Sequence, residues 1–161
     1  MKRKIVLLFV FLPIFCFAQK IDKCYTDYFT GKKTVITSWE SILPSLTSVV
    51  QFRFRYEGDK AYFELVYRNG IDDSVDKGNA IEFKTKDSIN QLINDKYTII
   101  ISSQKPIEIL RYCGDMDFFT DSKIEKIRIH FNNGYDGFDL KPNKALLIAK
   151  SYKIFTDTIK K

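Results

Sequence analysis

Few side chains in this sequence stand where chemistry would need them. His130 is the only histidine, so one chain can build neither a two-histidine catalytic pair nor a histidine-based metal site. It lies in Ile127-Arg128-Ile129-His130-Phe131, whose strict alternation places His130 beside Arg128 on the polar side of a strand. A general base there needs a serine or cysteine nucleophile within hydrogen-bond reach. No GxSxG, HExxH or phosphate-loop pattern supplies one, and the histidine reads as a surface residue.

Oxygen-bearing side chains recur in two loops. Asp72-x-Ser74-x-Asp76-x-Gly78 has the spacing of a calcium loop, but its sixth position is Lys77 and its twelfth is Phe83, so the bidentate carboxylate is missing. Asn133, Asp136 and Asp139 form the second, which reads as a turn using Asx and Gly. Asp115 with Asp117 and Glu57 with Asp59 are close in sequence. Glycoside hydrolysis needs two carboxyl groups roughly 5–9.5 Å apart, and without a cleft motif neither pair is nominated. Arg53 and Arg55 alternate with Phe52, Phe54 and Tyr56, a pattern that could stack bases and hold phosphates. The glycines of an RNA-binding strand are absent, so core aromatics with solvated arginines are expected.

The N-terminus sets the compartment. Lys2-Arg3-Lys4 precedes an uncharged apolar run from Ile5 to Ala18, followed at once by Gln19-Lys20. This is the layout of a secretory signal peptide, shorter than the roughly 20 residues of a spanning helix. Cleavage after Ala18 leaves residues 19–161 as one domain, periplasmic or secreted, with no transmembrane segment. Losing the three basic leader residues lowers the net charge from +6 to +3, which argues against a nucleic-acid partner. Cys24 and Cys113 then remain, in an oxidising compartment. They form either a structural disulfide, if their Cα atoms approach to about 4.4–6.8 Å, or buried free thiols.

The elements that must position these residues are mostly strands. Gln51 to Tyr56 and Ala61 to Arg68 alternate around the turn Glu57-Gly58-Asp59, predicting a hairpin in which Glu64 opposes one of the arginines. Asn69 to Asn79 reads as a long turn. Further strands are expected at Ile81 to Thr85, Ile89 to Ile93, Tyr97 to Ser102, Ile107 to Tyr112, Met116 to Thr120 and Ile127 to Phe131. Ser122-x-x-Glu125 has capping-box spacing for one helical turn, and residues 132–137 form a turn-rich loop. Beyond Pro142 the period becomes 3.6, with Ala145, Leu146, Ile148, Ala149, Tyr152, Phe155 and Ile159 on one side. Tyr25 to Thr37 adds an edge strand, and Trp39 to Leu46 is a short helix or an irregular cover. The fold class is therefore α+β, mainly β: a bent antiparallel sheet or sandwich covered by a C-terminal amphipathic helix.

The segments Asp27-Tyr28-Phe29-Thr30-Gly31-Lys32-Lys33, Thr37-Ser38-Trp39-Glu40, Tyr62-Phe63-Glu64-Leu65 and Ile124-Glu125-Lys126-Ile127-Arg128-Ile129, with the helix from Ala145 to Ile154, span nearly the whole mature chain. Together with the Ala-Gln leader end they resemble small uncharacterised exported proteins of Bacteroidota. The resemblance implies export and a β-rich fold, and carries no catalytic residue. It departs at Asp87-Ser88, where a turn glycine is usual.

These readings converge on a non-enzymatic exported module that binds an envelope protein or small ligand through a sheet face and its turns. No cofactor is called for. The binding candidates are the outward residues Arg53, Arg55 and Glu64, with Arg128 and His130 as a second patch. The competing expectation is an envelope hydrolase whose carboxylates assemble only in the fold.

Overall fold

A computed structural model of the 161-residue chain describes residues 20–44, 49–68, 75–101, 106–120 and 123–161. The expected leader and Gln19, together with Asp72, Ser74 and Ser122, lie outside the described residues.

The described residues form one antiparallel sheet of ten strands: β1 (Ile21–Thr26), β2 (Lys33–Thr37), β3 (Glu40–Pro44), β4 (Val49–Glu57), β5 (Lys60–Arg68), β6 (Ala80–Lys84), β7 (Ile89–Ile101), β8 (Pro106–Cys113), β9 (Lys126–Phe131) and β10 (Gly134–Asp139). The spatial order is β1-β2-β4-β5-β8-β7-β6-β9-β10, and the sheet is not closed. β2 and β3 share one edge of β4, meeting Arg55–Glu57 and Val49–Phe52 respectively. At the break between them the Thr37 hydroxyl accepts the Phe54 N–H at 2.9 Å, so the ladder loses no partner there.

Period-two alternation sends Val50, Phe52 and Phe54 of β4, Phe63 and Leu65 of β5, and Ile81 and Phe83 of β6 into one core. The helix α1 (Pro142–Ile159) covers it, burying Ala145, Ile148, Ala149, Tyr152 and Phe155. Leu146 is exposed, being one position off this stripe. Pro142 at the first turn needs no N–H partner. At the other end Lys33 Nζ donates to the Thr158 and Ile159 carbonyls at 2.9 and 3.1 Å, satisfying free acceptors where the helix dipole is negative. Among the described residues no helix is long and apolar enough to cross a membrane.

Several elements differ from the sequence expectation. Trp39 to Leu46 contains neither helix nor irregular cover in its described part but strand β3. The two strands expected at 89–93 and 97–102 are one strand, β7, because a bulge between Asn94 and Lys96 carries the ladder through the polar residues that read as a break. Met116 to Thr120 is no strand: Asp117–Thr120 is a 3-10 turn, started by Asp115 accepting the Asp117 N–H at 3.0 Å. The turn drives Phe119 into contact with Phe54, Phe63 and Phe83. Residues 123–125 are not helical; Glu125 extends, donating its N–H to Lys84. The loop expected at 132–137 is mostly edge strand β10, since Gly134 and Gly137 pair in register with Phe131 and Arg128.

Candidate functional site

Two polar constellations lie on the sheet face opposite the aromatic core. The first is a cross-strand row. Glu64 on β5 stands directly opposite Arg53 on β4 and Arg111 on β8. Its Oε2 is 2.5 Å from Arg53 Nε and its Oε1 is 2.6 Å from Arg111 Nε, with Arg55 Nε at 4.0 Å. Glu57 joins through Arg55 at 3.1 Å and Arg111 at 3.7 Å. The Trp39 ring, placed by the β2–β3 break, lies 4.3 Å from the Arg53 guanidinium.

The expected pairing of Glu64 with an arginine is thus present, but its solvated setting is not. Glu64 is 0% exposed, and the Arg53 and Arg55 side chains only 13% and 16%. A carboxylate fully removed from water needs paired charge, and two guanidiniums supply it. Arg111 was missed because a single arginine in the apolar run Ile107 to Tyr112 looks incidental until β8 is known to lie beside β5. This face holds the sheet together and leaves no open surface at Glu64.

The second constellation is open. On β6 and β9, Glu82 faces Arg128 in register. Glu82 Oε2 is 3.3 Å from Arg128 Nη1, and Oε1 is 3.2 Å from His130 Nε2, so one carboxylate gathers both predicted residues. Gly137 sits opposite Arg128 on β10, and the guanidinium lies 4.6 Å from the Tyr135 ring. Glu82, Arg128, Gly137 and Tyr135, but not His130, wall a groove of about 530 Å³ whose other polar lining includes Lys84, Lys126 and Asp139. Lys126 and Asp139 pair at 2.9 Å. Lys84 is exposed and makes no ion pair among the described residues. Ile127 and Phe138 add apolar lining. Glu82 and Tyr135 carry no sequence signal of their own; strand order alone brings them to His130 and Arg128.

The remaining candidates are structural. Cys24 and Cys113 are free thiols, Cys24 exposed and Cys113 half-buried, so neither the expected disulfide nor a buried pair of thiols is present. β1 and β8 are four steps apart in the strand order, roughly 19 Å at about 4.8 Å per step, well beyond disulfide reach. Asp136 accepts a hydrogen bond from Tyr67, and Asp139 is held by Lys126. Asp117 accepts the Tyr152 phenol at 3.0 Å, which together with burial, the larger cause, raises that phenol well above its ordinary value. Among the described residues no group of three or more His, Cys, Asp or Glu could hold a metal ion. No known protein family, curated protein or solved structure matches the chain.

Proposed function

We propose that the protein is an exported, non-enzymatic binding module and that the groove between β6, β9 and β10 takes its ligand. The observation that carries this reading is Arg128, held by Glu82 and laid against Tyr135 at the wall of a solvent-open groove. A guanidinium fixed on two sides loses little freedom when it meets an anion. Lys84 adds a cation with no ion pair among the described residues, while exposed Ile89 and half-buried Phe138 offer apolar contact. The ligand class is a small envelope molecule or short peptide segment with a carboxylate beside an apolar group. A periplasmic or secreted location follows from the leader-like N-terminus and the likeness to exported Bacteroidota proteins.

Among the described residues the groove lining contains no Ser, Thr or Cys nucleophile, and its carboxylates already serve Arg128, His130, Lys126 and Tyr67. This favours binding over hydrolysis. The test is a titration with N-acetylphenylalanine and its uncharged amide, followed by amide NMR shifts. Shifts at 82–84 and 126–137 with the acid, weaker with the amide and lost in Arg128→Ser with Lys84→Ser, support the reading. Equal response to acid and amide overturns it.

A further inference from the structure

We propose that the β1–β2 turn and the end of the sheet around it form a second surface, which docks onto anionic lipid. Tyr28 and Phe29 at the tip of this hairpin are 94% and 92% exposed, while of the other aromatics whose side chains are described only Tyr25 and Tyr135 are exposed, and less so. Their rings meet edge to face at 5.6 Å, so they project as one apolar unit. The turn beneath them meets most of its own backbone donors. Asp27 Oδ1 accepts the Phe29 N–H at 3.0 Å, the Thr30 N–H at 2.7 Å and the Thr30 hydroxyl at 2.8 Å, and the Asp27 carbonyl accepts the Gly31 N–H at 2.9 Å. Gly31, at φ 65, supplies the left-handed residue that closes it. A backbone most of whose donors are already met leaves water at lower cost, which an interfacial tip requires.

The charge around the tip fits an anionic surface. Gly58 donates its N–H to the Lys33 carbonyl at 3.0 Å, so the β4–β5 turn lies alongside. Lys33 Nζ reaches the last carbonyls of α1, which brings the helix end to the same place. Lys32, Lys33, Lys160 and Lys161 therefore gather there against Asp27, Asp59 and Asp157, while Lys60 lies 3.9 Å from Asp95 and Glu57 is held by Arg55 and Arg111. Lys32, Lys160 and Lys161 make no ion pair among the described residues. Two aromatics rimmed by unpaired lysines match the layout of a headgroup-level anchor, with rings at the acyl boundary and ammonium groups on the phosphates. One such tip gives reversible attachment. The surface shares no residue with the groove, so its test is independent of the ligand reading.

The test is cosedimentation of the protein, recovered from an exporting host, with vesicles of phosphatidylcholine alone or mixed equally with phosphatidylglycerol. The wild type should partition onto the mixed vesicles and release at high salt. Tyr28→Ser with Phe29→Ser should reduce partitioning about tenfold or more, and Lys32→Gln with Lys160→Gln and Lys161→Gln should remove its salt dependence. Unchanged thermal midpoints show that both variants are folded, as the exposure of these side chains leads one to expect. No partitioning by the wild type overturns the proposal, as does equal partitioning by the aromatic variant. Saturable capture of a single protein through Tyr28 and Phe29, without vesicle binding, overturns it in favour of a protein partner.

Discussion

The Nε atom of Arg111 stands 2.6 Å from Oε1 of Glu64, and the two residues are direct cross-strand partners on β8 and β5. Arg53 meets the other carboxylate oxygen from β4, so a single glutamate clamps three adjacent strands. The clamp is closed to water at its centre. Its charges are therefore screened little, and each is the counter-charge that offsets the others' removal from water.

Removing the centre of this row leaves two nearly buried guanidiniums without their carboxylate. Glu64→Ala is expected to cost about 3–5 kcal/mol, and Arg53→Ser with Arg55→Ser well over the 1 kcal/mol or so typical of surface changes. Urea unfolding of the three proteins measures this. A double-arginine variant as stable as wild type would show that the row contributes nothing to the fold.

Phe119 joins the 3-10 turn to the sheet and, through Tyr152, to the helix. Phe119→Ala should lose about 3–5 kcal/mol through the cavity it leaves. Phe118→Ala, at a half-buried position, should lose distinctly less. Equal losses would mean that the turn, rather than the ring, is the stabilising part.

Tyr152 links stability to alkaline pH. Burial first, and then the hydrogen bond to Asp117, raise its phenol above the ordinary value of 10.0, so the folded state favours the protonated form. That contribution is fully present below about pH 10 and is lost as pH rises through the folded value. Tyr152→Phe should cost about 1–2 kcal/mol near neutrality and should flatten the fall of the urea midpoint at alkaline pH. Parallel falls in both proteins would assign the titration to other groups.

Most of the architecture was legible in local pattern. Phe52 to Tyr56 and Ile127 to Phe131 alternate without interruption, and Phe63 to Tyr67 does so but for Val66, so their two faces follow from a strand's period of two. The α1 stripe follows as directly from a period of 3.6. What misled were residues whose local preference yields to neighbours. Gly134 and Gly137 resemble turn residues but serve an edge strand, where Gly137 pairs with Arg128. Asn94 to Lys96 resembles a break, and a bulge absorbs it. Phe118 and Phe119 fit a strand, yet Asp115 turns them into a 3-10 cap on the core.

The sequence by itself determined the β-rich class, the closing helix, the faces of the long strands and the pairing of Glu64 with an arginine, because each rests on contacts within one segment or one hairpin. Only the tertiary structure decided that Glu64 also meets Arg111, that Glu82 joins Arg128 to His130, and that Cys24 stands far from Cys113. Those relations depend on strand order, which is set by packing between segments distant in the chain and leaves no periodic mark in any one of them.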